Sequence, residues 1–181
     1  VLAGDLLSFF VFCEVMAIAS TFLILGARTE HSRSAGFRYA LVHFFAGILI
    51  LVGVAGVIHE TGNIAFDQLE YSNIYCKFIF VGFLINAGCY PISSWIPDSY
   101  PEASYSGAVF LSAFTTKTAV YSILRGFPGT ELLIYLGLVM IFYGIIYALL
   151  ENDMRRILSY SIVNQVGFML VGAGIGTEMA I

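Results

Sequence analysis

The sequence predicts an all-α, polytopic transmembrane helix bundle, and three observations carry that prediction. Hydrophobic residues make up 59% of the 181-residue chain and charged residues only 11%, against about a quarter charged in an ordinary soluble domain. Mean hydropathy is +0.89, and a chain of this size folding in water would lack the polar surface to cover itself. The apolar residues also fall into six stretches of about 20, the length an α-helix needs to cross a hydrocarbon core roughly 30 Å thick.

The six spans run 6–26, 37–58, 77–96, 105–125, 131–150 and 156–176. The first, "FFVFCEVMAIASTF", is apolar except for Glu14 at its middle; the second, "YALVHFFAGILI", holds His43. Span three is expected to be discontinuous, because "FLINAGCYPISSWIPDSYP" carries Gly88 and Pro91 in mid-membrane and Pro97 and Pro101 at its exit. Proline removes an amide donor and clashes with the preceding turn, and the carbonyls so freed are tolerated in a membrane only against protein or a watery cavity. A plain proline kink in a packed helix is the other reading. Span four, "FLSAFTTKTAVYSIL", has Lys117 at its centre. Span five has no charge in 132–150, and Thr130 and Glu131 are placed to cap its amides and suit its dipole. Span six carries Asn164 and Gln165.

The connectors are short and polar, except 59–76, which has room for a surface turn. Arg28, Arg33, Arg38, Arg155 and Arg156 fall on one side and Lys77 and Arg125 on the other. By the excess of basic residues in cytoplasmic loops, loops 27–36 and 151–155 are expected in the cytoplasm and both chain ends outside. The first apolar run lacks a basic lead and a cleavage motif, unlike a signal peptide, and both ends read as cuts from a longer polypeptide.

Glu14, Lys117 and His43 are the ionisable groups that fall well inside spans. A charge at the bilayer centre costs from ~2.5 to over 10 kcal/mol, so such groups must be paired, neutral or on a hydrated path. Glu14 and Lys117 have opposite sign and similar depth. They fit either an ion pair locking two helices or a proton relay, in which burial and pairing push each proton affinity in opposite directions. The surroundings of Lys117 are polar, with Ser112, Thr115, Thr116, Thr118 and Ser122; their hydroxyls either hold water or bond back to helix carbonyls. His43 fits an accessory relay or an interhelical hydrogen bond. Asn86, Asn164 and Gln165 cannot titrate and fit path lining or packing.

Other classes are disfavoured. Net charge is −4, and no basic patch interleaved with aromatics suggests nucleic acid. No nucleotide loop, nucleophile elbow or pair of histidines at metal spacing is present, and His43 has no partner for haem. Cys13, Cys76 and Cys89 form no C-x-x-C pair. Neither a cofactor, a metal nor catalytic chemistry is expected within the chain.

Taken together, "FFVFCEVMA", "PISSWIPDSYPEAS", "FLSAFTTKTAVYSILR" and "ENDMRRILSYSIVNQVGFMLVG" resemble the antiporter-like proton-conducting subunits. That family comprises large membrane-arm subunits of respiratory complex I, an NADH:quinone oxidoreductase, and their relatives in Mrp-type Na+/H+ antiporters. The resemblance covers essentially the whole chain; its most specific part is the W-x-P-D stretch followed by Lys117, and "PDSYPEAS" leans toward the Mrp side. It implies an inverted-repeat fold with a discontinuous helix in each half. Residues 1–126 would form most of the first half-channel bundle, with the third helix broken near Pro91, and 127–181 the opening two helices of the second. It also implies a cytoplasmic 97–104 loop, in agreement with the arginine count.

By resemblance, Glu14 matches the glutamate that tunes a lysine on the broken helix, and Lys117 the central lysine that passes protons onward. The broken-helix lysine itself falls at Asn86, which holds no proton. The expected function is therefore proton translocation within a multisubunit, bacterial inner-membrane complex, of the cation/proton antiporter or respiratory-chain oxidoreductase type. The proton relay would be Glu14, Lys117 and His43, with Asn86, Ser112, Thr116, Asn164 and Gln165 lining the path. Expected partners are other membrane subunits, the lipid bilayer, protons and, as a second cation, Na+. The alternatives are a degenerate paralogue kept as a structural membrane subunit, and an unrelated six-helix transporter.

Overall fold

The computed structural model describes residues 2–177 and 180. Among these residues there are helices and turns and one isolated β-bridge, between Asp5 and Ala65. Five helices are long and apolar enough to span a membrane, and a bent pair supplies a sixth. Residues 178, 179 and 181, at the end of the expected second segment, lie outside the described residues.

Helix α1 covers Leu6–Leu25. Asp5 caps it, its carboxylate accepting from the Ser8 amide at 2.7 Å, and that bond holds the Asp5 carboxyl below the usual carboxylate range. Helix α2 covers Glu30–Thr61, starting seven residues earlier than the apolar pattern indicates. A reciprocal capping box between Thr29 and Ser32, with Glu30 in the first turn, accounts for the early start. Residues 30–36, expected as loop, are thus its first two turns. At 32 residues the helix is roughly 48 Å long, more than a bilayer core is thick.

The 59–76 connector does have a turn, at Tyr71 and Ser72, yet much of it is bound inward. Leu6 donates to the Ile64 carbonyl, Phe66 to that of Gly4, and Leu69 to that of Gly126. The Phe66 ring, fully buried, packs against Phe9 and Phe83.

Helix α3, Ile74–Ala87, ends in a left-handed Gly88 at φ +74°. Gly88 N–H bonds the Ile85 carbonyl and Cys89 N–H reaches back to Leu84, a Schellman-type stop that needs a residue tolerating positive φ. The chain resumes as a 3₁₀ turn, Ile92–Ser94, and a short α4, Trp95–Ser99, with a 40° bend between the two halves. The span is therefore broken, as expected, with Gly88 ending its first half and Pro91 lying inside the gap.

Span four is one column of three pieces: α5 Tyr105–Phe110, a π-helical turn Leu111–Thr115, and α6 Thr116–Gly126. Helices α7, Glu131–Leu150, and α8, Met154–Ile175, pack as an antiparallel hairpin. Thr130 does not cap α7 as expected: its hydroxyl donates back to the Phe127 carbonyl, leaving Glu131 to meet the dipole. Glycines seat the hairpin. A Cβ built on Gly137 would lie 2.6 Å from the Gly167 carbonyl oxygen, and one on Gly167 2.8 Å from that of Gly137. Gly144 and Gly174 make equally close contacts one heptad away on each helix.

Interhelical polar contacts gather three connectors at one end. Arg38 forms a two-pronged ion pair with Asp98, at 2.7 and 2.8 Å, and Arg155 donates to the Ala103 carbonyl at 2.6 Å. Residues 27–29, 98–104 and 151–155 thus share that end with the arginine cluster, while Arg125, bonded to the Ala3 carbonyl, marks the other. Large apolar side chains such as Phe12, Phe22, Phe142 and Leu149 point outward. In water that arrangement would be costly; against lipid or neighbouring subunits it is not.

Candidate functional site

The break in span three is held by side chains of α4 that reach α3 and α2. The Trp95 indole N–H donates to the Ile85 carbonyl at 3.2 Å, using the backbone that the break exposes. Asp98 holds Arg38 of α2, and Ser99 leans on the Ala35 carbonyl of the same helix. The Tyr100 hydroxyl, just beyond α4, donates to the Leu111 carbonyl at 3.2 Å. That carbonyl begins the π turn, where the helix ladder widens and carbonyls need other donors.

Lys117 lies two residues past the π turn, half-buried. It faces a cleft of ≈ 690 Å³ between span four and α8. Ser112, Ser161 and Gln165 share the lining with it, and Tyr105 and Arg155 stand toward the connector end. The Arg155 guanidinium lies 5.0 Å from the Tyr105 ring centre.

Glu14 points elsewhere. Its carboxylate rests on α2 at Gly47, where any Cβ would collide with it. Among the described residues the ion pair within 4 Å is Arg38–Asp98, so Glu14 and Lys117, although at similar depth, do not meet. A locked Glu14–Lys117 bridge is absent.

His43 sits one turn from Gly47 on the same face of α2. It is stacked on Tyr39 at 3.9 Å, edge-on to Trp95 at 4.6 Å, and buried. Its Nδ1 lies 3.1 Å from the Tyr39 carbonyl. In the neutral ring Nδ1–H is then the donor and Nε2 an acceptor, and Nε2 has no partner. Asn86 comes to the same level from α3: Gly82, one turn before it, packs on Ala46 and Ile50 of the antiparallel α2.

The expected path residues therefore divide. Ser112 and Gln165 line the Lys117 cleft, whereas Asn86, Thr116 and Asn164 are inward groups whose side-chain oxygen has no hydrogen-bond partner. Tyr39 and Ser93 share that condition, and neither was singled out by the sequence. Tyr39 had one available signal, its four-residue spacing from His43. For the π turn, "LSAFT" offers none that separates it from α-helix. Among the described residues no three His, Cys, Asp or Glu side chains cluster as a metal site would require.

Comparison with known proteins identifies the family and its fold. The profile of the family described as NADH:quinone oxidoreductase/Mrp antiporter, transmembrane, matches residues 3–181. The chain belongs to this family. It is 36% identical to a Na+/H+ antiporter subunit of Alkalihalophilus pseudofirmus, over 99% of this chain and 40% of that protein. It is 31% identical to an NADH-quinone oxidoreductase subunit of Pseudomonas aeruginosa, over 99% and 41% respectively. A chain of the Mrp complex from Dietzia sp. superposes with a TM-score of 0.87 at 26% identity, covering 96% of this chain and 36% of its own length. A chain of an archaeal membrane-bound sulfane sulfur reductase superposes with a TM-score of 0.86 at 25% identity, covering 95% and 39%. The chain thus spans about two fifths of the length of these relatives. Its all-α, antiporter-like membrane fold is that of the family.

Proposed function

We propose that the chain conducts protons as a segment of an antiporter-like subunit in a multisubunit membrane complex, with Lys117 as the central carrier. The observation that carries the reading is a titratable amine at the middle of a span, without an ion-pair partner among the described residues and facing a cleft lined by Ser112, Ser161 and Gln165. An amine so placed can take a proton from water in the cleft and return it, which an amine locked to a carboxylate cannot do as readily. Glu14, resting on α2 at Gly47, would set the field from a distance, and His43 would serve as accessory. Asn86 contributes a polar oxygen but holds no proton.

On this reading 1–126 form most of a first half-channel and 127–181 open a second, which further chain would complete. The arginine-rich end, with residues 27–36, 97–104 and 151–155, faces the cytoplasm of a bacterial inner membrane. The host complex is a cation/proton antiporter of the Mrp type or an NADH:quinone oxidoreductase-type assembly, with protons, and Na+ as a second ion, transported.

The test is Lys117→Met in the full-length subunit and its assembled complex, read as proton flux in vesicles. Loss of at least tenfold with normal assembly is expected, and unchanged flux would end the carrier role. The non-transporting scaffold reading is favoured by one observation, the asparagine at 86 on the broken helix. If it is right, Lys117→Met changes nothing but assembly, whereas a rise in flux in Asn86→Lys indicates transport that the asparagine limits.

A further inference from the structure

Four buried hydroxyls from four separate elements converge on the π turn. Ser20 of α1 and Thr115 at the end of the turn lie 3.4 Å apart. Tyr39 of α2 turns its hydroxyl toward both, without completing a hydrogen bond to either. Tyr100, following α4, adjoins Thr115 and donates to the Leu111 carbonyl. All four residues are at most 5% exposed.

From this geometry we infer that the Tyr39–Ser20–Thr115–Tyr100 cluster is a built water-binding site and the proton bridge between the arginine-rich end of the bundle and Lys117. The inference rests on Lys117 being the carrier. Three features support it. The Tyr39 hydroxyl is fully buried and unpartnered, whereas buried hydroxyls normally find protein or water; a water among these groups gives it a partner. A hydroxyl both donates and accepts, so Tyr39, Ser20 and Thr115 can each take a proton on one lone pair while releasing their own. Tyr100 joins them once its O–H turns from the Leu111 carbonyl toward Thr115. One proton enters, one leaves, and no group is left ionised. The position is also suited to a bridge: the cluster lies inward of the Arg38–Asp98 pair, Tyr39 directly follows Arg38 in the chain, and Thr115 is two residues before Lys117. The π turn makes the convergence possible, because the widened ladder swings Thr115 and Thr116 into the bundle while Lys117 stays on the cleft side.

Phenylalanine at 39 or 100 keeps the ring and its packing and deletes only the hydroxyl, so the test uses Tyr39→Phe and Tyr100→Phe, singly and together, in the full-length subunit within its complex. Proton flux into vesicles is measured in H2O and D2O, with Lys117→Met alongside. The expected result is a loss of at least tenfold in the double variant, with assembly unchanged and an altered solvent isotope effect. Flux within twofold of the parent, while Lys117→Met abolishes it, overturns the bridge and leaves the carrier reading intact. Flux that survives Lys117→Met but not the double variant overturns the bridge to Lys117 and the carrier together. Should the variants fail to assemble, a map of the parent complex fine enough to show ordered water decides. Water bonded to the Tyr39 hydroxyl supports the site, and a Tyr39 hydroxyl bonded only to protein overturns it.

Discussion

Adding one methyl group to the α7–α8 hairpin gives the sharpest physical test of the fold. A Cβ on Gly137 would stand 2.6 Å from the Gly167 carbonyl oxygen and 2.9 Å from the Val171 amide nitrogen; one on Gly167 would stand 2.8 Å from the Gly137 carbonyl oxygen and 3.0 Å from the Ile141 nitrogen. These obstacles include backbone atoms of a helix, which no side-chain rotation can clear. Restoring ordinary contact near 3.5 Å requires the helices to part by roughly 0.5–1 Å, and a gap of that size forfeits a quarter to a half of each dispersion well along the interface. Overpacking of this kind costs about 1–3 kcal/mol, and the rigid obstacle places Gly137→Ala in the upper half of that range. The assay is reversible unfolding of the full-length subunit in mixed micelles, with Gly137→Ala, Gly167→Ala and the double variant compared. Because one separation of the helices accommodates both methyls, the double variant should cost markedly less than the two singles added together. Parent-like stability in both singles, or strict additivity in the double, would refute a hairpin seated glycine on glycine.

Two further outcomes follow from the break and its anchors. Gly88→Ala forces a left-handed φ on a residue with a Cβ, costing roughly 1–2 kcal/mol, and drives that Cβ into Ile96; lowered thermal stability of the subunit checks it, and a parent-like value would mean the break is not held by that conformation. Asp98→Asn should cost under ~1 kcal/mol, because the pair with Arg38 is solvent-accessible at 51% and 38% side-chain exposure and Trp95, Ser99 and Tyr100 still anchor α4. A loss of several kcal/mol in the same unfolding measurement would show that this pair alone holds the second half of the broken helix.

The spans, the break and the central amine were all legible in the order of residues. Helices in a membrane satisfy their own backbone and must be long and apolar, so composition and length betray them, and a glycine with nearby prolines marks where one must stop. Boundaries set by caps were less legible: the Thr29–Ser32 box extends α2 outward over residues whose polarity reads as loop, and Thr130, apt by type, bonds backward instead. Which polar groups meet was left to the packing. Glu14 and Lys117 share a depth but face different neighbours, because depth follows from position along a helix whereas facing depends on helix rotation and packing. The π turn adds to that rotation just before Lys117, and it brings Thr115 against Ser20 from a position 95 residues away in the chain. Local sequence encodes where a helix runs and how deep each residue lies; which side chain its neighbours present to that residue is settled only when all the helices are packed.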